Sequence, residues 1–283
     1  MAENQTKAVK EGGHWYQRHD DGTASQLLTV PKASGKGEKA TTLREARLMQ
    51  LAPGCTTIIR QASNFHLQLW QKRQAIMSAL TLPRLPDESE ADWLQRVEFD
   101  MDETARASAK EGTRIHGAIE QALQNDPIDE NYTKHVGGVL ALLDSIAGAT
   151  AEWEAERAVV HPLGYGTKCD LHDAAANWCI DFKTCDKDAD QIEKMGTFES
   201  HHMQLAATRA ALEAQEWGYP HDGHRYEGPR RKCAIVYVSR THPGVCHAVE
   251  VSEKKLAKGW DMFRALLLYW QAKSGFRPAW ATC

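Results

Sequence analysis

The segment from Gly164 to Thr184 constrains the fold of this chain more than any other stretch, because it predicts two β-strands joined by a turn. Its sequence, GYGTKCDLHDAAANWCIDFKT, predicts strands over residues 167–173 and 178–184, with Ala-Ala-Asn in the turn. Side chains two residues apart share one face of a strand. Asp181 and Lys183 therefore point the same way, and Phe182 points into the packing. We expect Asp170, on the neighbouring strand, to lie close to Asp181.

Two carboxylates and one ammonium crowded at one end of a hairpin favour a cation site. Carboxylates that lie close together resist ionising at the same time. A hard divalent cation removes this conflict, because Mg²⁺ prefers carboxylate, carbonyl and water oxygens. Such a cation can bind a phosphate and lower the pKa of an attacking water, while Lys183 can hold that water or neutralise charge on the phosphate. The alternative is an exposed hairpin whose Asp and Lys side chains are simply solvated.

The turn at Gly164–Gly166, the following Asp170 and the string Ile-Asp-Phe-Lys-Thr together resemble the core motif of the PD-(D/E)XK nuclease superfamily, in its RecB-like branch. That branch usually has two residues between the Gly and the first Asp, whereas three lie between Gly166 and Asp170, so Asp173 is the alternative first carboxylate. The resemblance implies metal-dependent hydrolysis of phosphodiester bonds. The implied catalytic residues are Asp170, Asp181 and Lys183, and the implied ligands of Mg²⁺ or Mn²⁺ are His116, Asp170, Asp181 and the Phe182 carbonyl.

The expected ligand His116 lies on a predicted helix, in the string GTRIHGAIEQAL. Ile115, Ala118, Ile119 and Ala122 form its core-facing stripe. His116 and Glu120 are four residues apart and share a neighbouring face. The pattern G-x-x-x-H-x-x-x-E resembles the first motif of RecB-like nucleases, which implies that His116 reaches the metal. Glu120 either supports His116 or a metal-bound water, or is a carboxylate on the helix surface.

Further supporting and DNA-binding residues are implied at four places. Glu156 lies on the strand before the hairpin and either lines the site or is exposed. Gln204 matches the Gln of a Q-x-x-x-Y motif in which Thr208 replaces the Tyr. Arg209 on the same helix is a candidate phosphate contact. The loop before residue 233 is basic, and it either holds phosphates or serves solubility; its candidate DNA contacts are Arg230, Arg231 and Lys232.

The pattern of elements predicts an α+β (mixed α/β) fold in which helices flank a central mixed sheet, and the resemblance implies a restriction-endonuclease-like core. We expect an N-terminal hairpin and loop extension over residues 1–40, a helical region over 41–150, and the nuclease core over 151–283, with 41–283 as one compact unit.

The predicted strands are 14–19, 23–30, 153–160, 167–173, 178–184, 233–239 and 245–251. The predicted helix over 42–51 begins with a capping box formed by Thr42 and Glu45. The other predicted helices run from 56 or 57 to 80, from a cap at Ser89, over 105–123, 130–147 and 201–217, and from a cap at Ser252.

Composition excludes several classes of protein. The net charge of −4 over 283 residues argues against a uniformly basic binder of nucleic acid. The chain has no run of eighteen apolar residues, so no membrane span is expected. Seven scattered cysteines without a C-x-x-C pair predict reduced cytoplasmic thiols. Their spacing argues against zinc and against an iron–sulfur cluster. The resemblance to the nuclease superfamily implies the cytoplasm of a bacterial or phage-infected cell.

The layout is most similar to phage-type and mitochondrial genome maintenance DNA exonucleases. This resemblance implies an exonuclease for single-stranded or end-accessible DNA in replication, recombination or repair, with DNA and a single-strand-binding or recombination protein as partners. We expect the helical region to cover the cleft, where Trp70, Trp93 or His66 would stack on bases.

The alternatives are a DNA-binding recombination accessory protein with a weak or inactive site, and a restriction-like endonuclease. Polarity, strand preference, DNA versus RNA and oligomeric state stay open.

Overall fold

The computed structural model describes residues 14–32, 34–62, 65–148, 150–173, 175, 178–218 and 230–282. The strands are β1 Trp15–Arg18, β2 Ala24–Leu27, β3 Thr29–Pro31, β4 Glu38–Ala40, β5 Ala52–Pro53, β6 Trp153–His161, β7 Tyr165–Asp173, β8 Trp178–Cys185, β9 Lys232–Ser239 and β10 Cys246–Val251. The helices are α1 Leu43–Met49, α2 Cys55–Ile59, α3 Phe65–Thr81, α4 Glu90–Leu123, α5 Thr133–Ala147, α6 Ala189–Ile192, α7 Glu199–Trp217 and α8 Glu253–Ser274.

A five-stranded sheet in the order β10-β9-β8-β7-β6 forms the centre of the molecule. Its strands pair antiparallel except for β8 and β9, which are parallel, so the sheet is mixed. One face packs on a cluster that includes Leu212 of α7 and Phe263 of α8. The other face packs on Ile119 of α4 and Val139 of α5. The predicted α+β fold, with a mixed sheet flanked by helices, is confirmed.

The N-terminal hairpin forms a small sheet of its own and packs on the central sheet. Strands β1 and β2 pair as predicted, and β5 pairs with the other edge of β1. Trp15 and Tyr16 are buried. The predicted strand over residues 23–30 is interrupted after Leu27, and the following segment belongs to a second hairpin of β3 with β4. The string KASGKGEK, residues 32–39, therefore forms the connection between β3 and β4 and the start of β4. Residue 33 within it lies outside the described residues.

Two helical predictions differ from the structure. Residues 56–80 divide into α2 and α3, and α2 begins at Cys55 after Gly54. The helix capped by Ser89 and the helix over 105–123 are instead one continuous helix, α4, because residues 98–104 contain neither Gly nor Pro to end it. The capping box at Thr42 and Glu45 is confirmed. Within the described part of the chain, every helix is too short or too polar to cross a membrane.

The helix α3 and the first part of α4, up to residue 103, form a helical arm. The Trp93 indole N–H donates to the Leu82 carbonyl at 2.7 Å, and the Arg96 guanidinium donates to the Pro83 carbonyl at 3.0 Å. These bonds fix the connection between the two helices. The side chain of His66 lies outside the described residues, whereas Trp70 is 42% exposed.

Candidate active site

Strands β7 and β8 separate where the two predicted carboxylates lie. Their backbones pair at Leu171 with Ile180 and at His172 with Cys179, and within the described strands this pairing stops before Asp170 and Asp181. The Asp170 carboxylate occupies the opening and accepts the backbone N–H of Phe182 at 2.9 Å. The side chain of Phe182 is buried against α4 and α5, as its position on the strand predicted. Asp170 is thereby held against the strand that carries Asp181 and Lys183.

Beside the opening, side chains of β6 and β7 no longer alternate regularly between the two faces of the sheet. On β7, Cys169 packs with the α7 and α8 cluster, but Leu171 packs with the α4 and α5 cluster, although residues two apart normally share a face. Glu156 lies in register opposite Asp170, and its φ of 58° is a conformation that costs a non-glycine residue about 1–3 kcal/mol. The Glu156 carboxylate forms an ion pair with Lys168.

Asp181, Lys183 and Gln204 form a hydrogen-bonded group above β8. Asp181 is 5% exposed. The Gln204 amide on α7 donates to Asp181 Oδ1 at 2.6 Å, and its oxygen accepts from Lys183 Nζ at 3.3 Å. Lys183 Nζ also lies 2.6 Å from Asp181 Oδ2. That oxygen has this ion-pair contact but no well-directed hydrogen bond. It is a buried charge that a second cation would stabilise.

His116 approaches the same group from the other side of the sheet. Gly112, one turn earlier on α4, permits the approach, because a Cβ there would lie 2.7 Å from Thr184 Oγ1. His116 Nδ1 lies 4.0 Å from Asp170 Oδ2, and the ring packs edge-on to Phe182 with centroids 5.9 Å apart. Glu120 accepts a hydrogen bond from Gln124 on its own helix at 3.4 Å. Its described hydrogen bond is therefore with the helix surface and not with His116.

Burial and neighbouring charges shift the pKa values of the site. Burial and the adjacent Asp181 carboxylate raise the pKa of Asp170 to about 7, against the opposing influence of Lys183. Burial lowers the pKa of Lys183, but Asp181 and Asp170 outweigh burial and hold it above its ordinary value. Burial lowers the pKa of His116, with Asp181 opposing, so its imidazole is neutral near pH 7 and has a lone pair available for a metal.

These side chains fit a hard divalent cation in their chemistry. Two carboxylates, one carrying an oxygen without a directed hydrogen bond, and a neutral imidazole are donors that Mg²⁺ or Mn²⁺ accepts. The described residues contain no group of three His, Cys, Asp or Glu side chains already arranged around one point. The donor set therefore consists of Asp170 and Asp181, with His116 Nδ1 4.0 Å from Asp170 Oδ2. Asp173, the alternative first carboxylate, instead accepts the backbone N–H of Ala175 in the turn at 3.0 Å.

Sequence reasoning missed several residues beside the site. Tyr16 on β1 is buried and lies close enough to Asp170 and Cys55 that their charges help burial to raise its pKa. Gly166 makes this approach possible, because a Cβ there would lie 2.4 Å from Tyr16 Cβ. Cys55 Sγ contacts Thr167 Oγ1 at 3.2 Å, and burial raises the Cys55 pKa to about 11. Tyr16 is more than 150 residues from Asp170, and no local pattern connects the two.

Thr208, at the position of the expected Tyr, has a structural contact. Its hydroxyl lies 3.0 Å from Thr167 Oγ1, which in turn contacts Cys55, so α7, β7 and α2 are joined by a chain of buried polar groups. Because the chain is buried, we interpret it as a support beneath the site.

The four expected DNA contacts lie in different surroundings. Arg209 is buried and donates to Glu253 at 2.6 Å, and Arg231 is fully buried and donates to Glu216 at 2.7 Å. Both guanidinium groups are buried and already bind carboxylates of the same chain, which argues against phosphate contacts by these two residues. Arg230 and Lys232 are exposed, and Lys232 Nζ lies 5.3 Å from the centroid of a Trp178 ring. Residues 219–229 of the expected basic loop lie outside the described residues.

Comparisons with known proteins give only distant similarities. No protein-family model matches the chain, and no curated protein matches it. Among solved structures, the chain is similar to SSO0001, with 14% identity and a TM-score of 0.31 over 77% of this chain and 99% of that chain. It is also similar to an alkaline exonuclease from Laribacter hongkongensis, with 14% identity and a TM-score of 0.28 over 74% of this chain and 98% of that chain. Similarities this low carry no weight in assigning the site, which rests on its geometry.

Proposed function

We propose that this protein is a Mg²⁺- or Mn²⁺-dependent nuclease of the RecB-like PD-(D/E)XK type that hydrolyses DNA from accessible ends. The observation that carries the proposal is the opening between β7 and β8. There the Asp170 carboxylate is held by the Phe182 N–H, beside Asp181 and Lys183 on one face of β8. A close pair of carboxylates with an ammonium group is suited to chemistry at a phosphodiester, whose charge requires cations around it.

Each side chain has a role in the proposed reaction. Asp170, Asp181, the Phe182 carbonyl and the neutral His116 would hold the cation. When bound, that cation supplies positive charge at the scissile phosphate and lowers the pKa of the attacking water. Lys183 would orient the water or neutralise charge on the phosphate, and its raised pKa keeps it protonated for this purpose.

Gln204 would position the two charged groups of β8. Its amide donates to Asp181 and accepts from Lys183, and so fixes this ion pair on one face of the strand. Arg230 and Lys232 remain proposed contacts for the DNA backbone, since both are exposed.

The proposal is tested by cleavage of labelled linear DNA with Mg²⁺, with Mn²⁺ and with excess EDTA, using the wild-type protein and Asp181→Asn. We expect cleavage that requires metal and a loss of at least about 100-fold in Asp181→Asn, because one anionic ligand is removed. Asp173→Asn is the matched control on β7 and should keep its activity. Cleavage undiminished in EDTA, or an Asp181→Asn variant as fast as the wild type, would refute the proposed site. DNA binding without any cleavage would favour the accessory protein instead.

A further inference from the structure

An exposed aromatic ring stands at the start of α7, the helix that carries Gln204. Phe198 is 58% exposed, although a ring of this size is normally covered. Its edge-on neighbour is His201, with ring centroids 5.1 Å apart and planes at 78°. The backbone N–H of Phe198 donates to His201 Nδ1 at 3.4 Å. The ring is thus held in place while one of its faces stays open to solvent.

The residues behind Phe198 lead directly to the candidate active site. His201 packs near Tyr237 with centroids 6.2 Å apart, and the Tyr237 hydroxyl lies 3.4 Å from His201 Nδ1. His201 is also close enough to Lys183 and Asp181 to feel the charges of both. Gln204, one turn along α7, contacts these same two residues. Phe198 is therefore the exposed end of a row of side chains that begins at the site.

Two lysines of α8 contact the sequence neighbours of Phe198, because α7 and α8 approach each other closely. The approach depends on Gly259, where a Cβ would lie 2.5 Å from the His202 carbonyl oxygen. Lys255 Nζ consequently reaches the Thr197 hydroxyl at 3.4 Å, and Lys258 Nζ reaches Glu199 at 2.8 Å. One lysine therefore contacts the residue before Phe198, and the other contacts the residue after it.

The acidic groups next to the ring are already paired. Glu199 is bound by Lys258, and Glu253 at the start of α8 is bound by the buried Arg209. Lys255 contacts a neutral hydroxyl, and Lys254 beside it is exposed. Because Lys254 and Lys255 add to these two neutral pairs, the described charges around Phe198 leave an excess of positive charge next to the exposed ring.

The part of the helical arm on which Trp93 lies has the opposite charge, whereas α3, with Lys72 and Arg73, is basic. Residues 87–103 contain eight acidic side chains and one arginine, so this stretch repels a phosphate backbone. The indole N–H of Trp93 already donates a hydrogen bond to the Leu82 carbonyl. Phe99 in this stretch is 60% exposed and is flanked in sequence by these acidic residues, with the Arg106 guanidinium 5.4 Å from its ring centroid. Charge thus favours Phe198 over residues 87–103 as the place where a base stacks.

We propose that Phe198, Lys255 and Lys258 form a subsite for an unpaired nucleotide of the DNA strand that enters the active site. The base would stack on the open face of Phe198 and its neighbouring phosphates would contact the two lysines, a combination typical of single-strand binding. A base inside a duplex has no free face to offer, so the subsite selects unpaired ends. Its placement relative to the scissile phosphate rests on the proposed nuclease function.

The subsite is tested by fluorescence anisotropy with labelled oligothymidylate in excess EDTA, where binding is measured without hydrolysis. Phe198→Ala should weaken binding about 5- to 100-fold through the loss of one stacked base. Phe198→Trp should bind at least as tightly as the wild type. The matched control is Phe99→Ala, an equally exposed Phe in the acidic stretch 87–103, which should bind like the wild type. A blunt duplex should show a much smaller difference between wild type and Phe198→Ala.

The lysines are tested by the salt dependence of the same binding. Lys255→Gln and Lys258→Gln should each reduce the slope of log affinity against log salt by about 0.7, the value for one phosphate contact on a single strand. Lys273→Gln, at the far end of α8, is the control and should leave the slope unchanged.

Two results would overturn the subsite: oligothymidylate affinity unchanged in Phe198→Ala, or no binding of oligothymidylate by the wild type. Metal-dependent cleavage is assayed separately on the wild type. Cleavage together with unaltered binding in Phe198→Ala would reject the subsite alone. Binding that depends on Phe198 without any cleavage would reject the nuclease proposal alone.

Discussion

At the scale of single residues, Asp170 lies in conflicting surroundings. It accepts the Phe182 N–H and has Lys183 nearby, both of which favour its charged form. Burial and the Asp181 carboxylate disfavour that form more strongly and raise its pKa to about 7. The metal-free protein therefore holds Asp170 at an energetic cost near neutral pH, and a divalent cation would remove that cost.

We predict that Asp170→Asn stabilises the metal-free protein at high pH. The unfolded Asp has a pKa of about 3.9, below the folded value of about 7. Between these values the folded state binds a proton that the unfolded state does not, so stability falls as pH rises through this window. The gain in Asp170→Asn should be of the order of 1–3 kcal/mol at pH 8 and absent near pH 4. Thermal unfolding in EDTA measures it, and an equal gain at both pH values would contradict the assignment.

Lys183→Ala should slow cleavage by about 10²–10⁴-fold while metal binding is retained. The carboxylates remain in this variant, and Asp181 Oδ2 loses its contact with the ammonium group. The rise in Tm caused by Mg²⁺ should consequently be as large as in the wild type. Lys187→Ala, an exposed lysine four residues further on, is the control for activity. A variant that loses both cleavage and the Mg²⁺-induced rise would show that Lys183 acts through the fold.

At the scale of elements, glycines determine how closely helices approach their neighbours. Gly138 on α5 faces the loop between β9 and β10, where its Cβ would lie 2.4 Å from the Gly244 carbonyl oxygen. The adjacent Gly137 has no atom within 4 Å of such a Cβ. Close packing against backbone therefore requires a glycine at Gly138, whereas packing places no such requirement on the adjacent Gly137.

Gly138→Ala should destabilise the protein by about 1–3 kcal/mol or more, because the contacted atoms are backbone and cannot rotate away. Gly137→Ala should instead stabilise it by up to about 1 kcal/mol, because Ala favours the helix and fills open space. Urea unfolding followed by circular dichroism distinguishes the two. Similar values for both variants would mean that α5 does not pack closely on this loop.

At the scale of the whole molecule, the site is enclosed by parts that are distant in sequence. His116 comes from α4, Gln204 from α7 and Tyr16 from the N-terminal sheet, while the carboxylates lie on the central strands. A site bounded by helices from both faces of the sheet and by an N-terminal strand admits one flexible strand more readily than a stiff duplex. For the proposed nuclease, this enclosure would favour entry by a DNA end.

We therefore predict that linear single-stranded DNA is degraded from an end and that closed circular single strands survive under the same conditions. Gel electrophoresis of both labelled substrates with Mg²⁺ measures this difference. A linear duplex with unpaired overhangs should be attacked faster than a blunt one, since the proposed Phe198 subsite requires an unpaired base. Rapid nicking of the circle would show that the cleft is open and that the protein is an endonuclease.

The sequence alone determined the local features of the site. Period-two alternation placed Asp181 and Lys183 on one face of β8 and Phe182 in the packing, because these relations depend on the geometry of one strand. The helix of His116 and the capping box of α1 followed in the same way from local spacing. The α+β fold followed from the order of such elements.

Only the tertiary structure decided which groups that are far apart in the sequence lie together at the site. It also decided which charged side chains pair with one another within the protein. Arg209 and Arg231 resembled phosphate contacts in sequence, but both are buried against carboxylates from other elements. Tyr16, Cys55 and His201 reached the neighbourhood of the site only through the packing of β1, α2 and α7 on the sheet. Burial and pairing depend on contacts between segments far apart in the chain, and spacing within one segment carries no information about them.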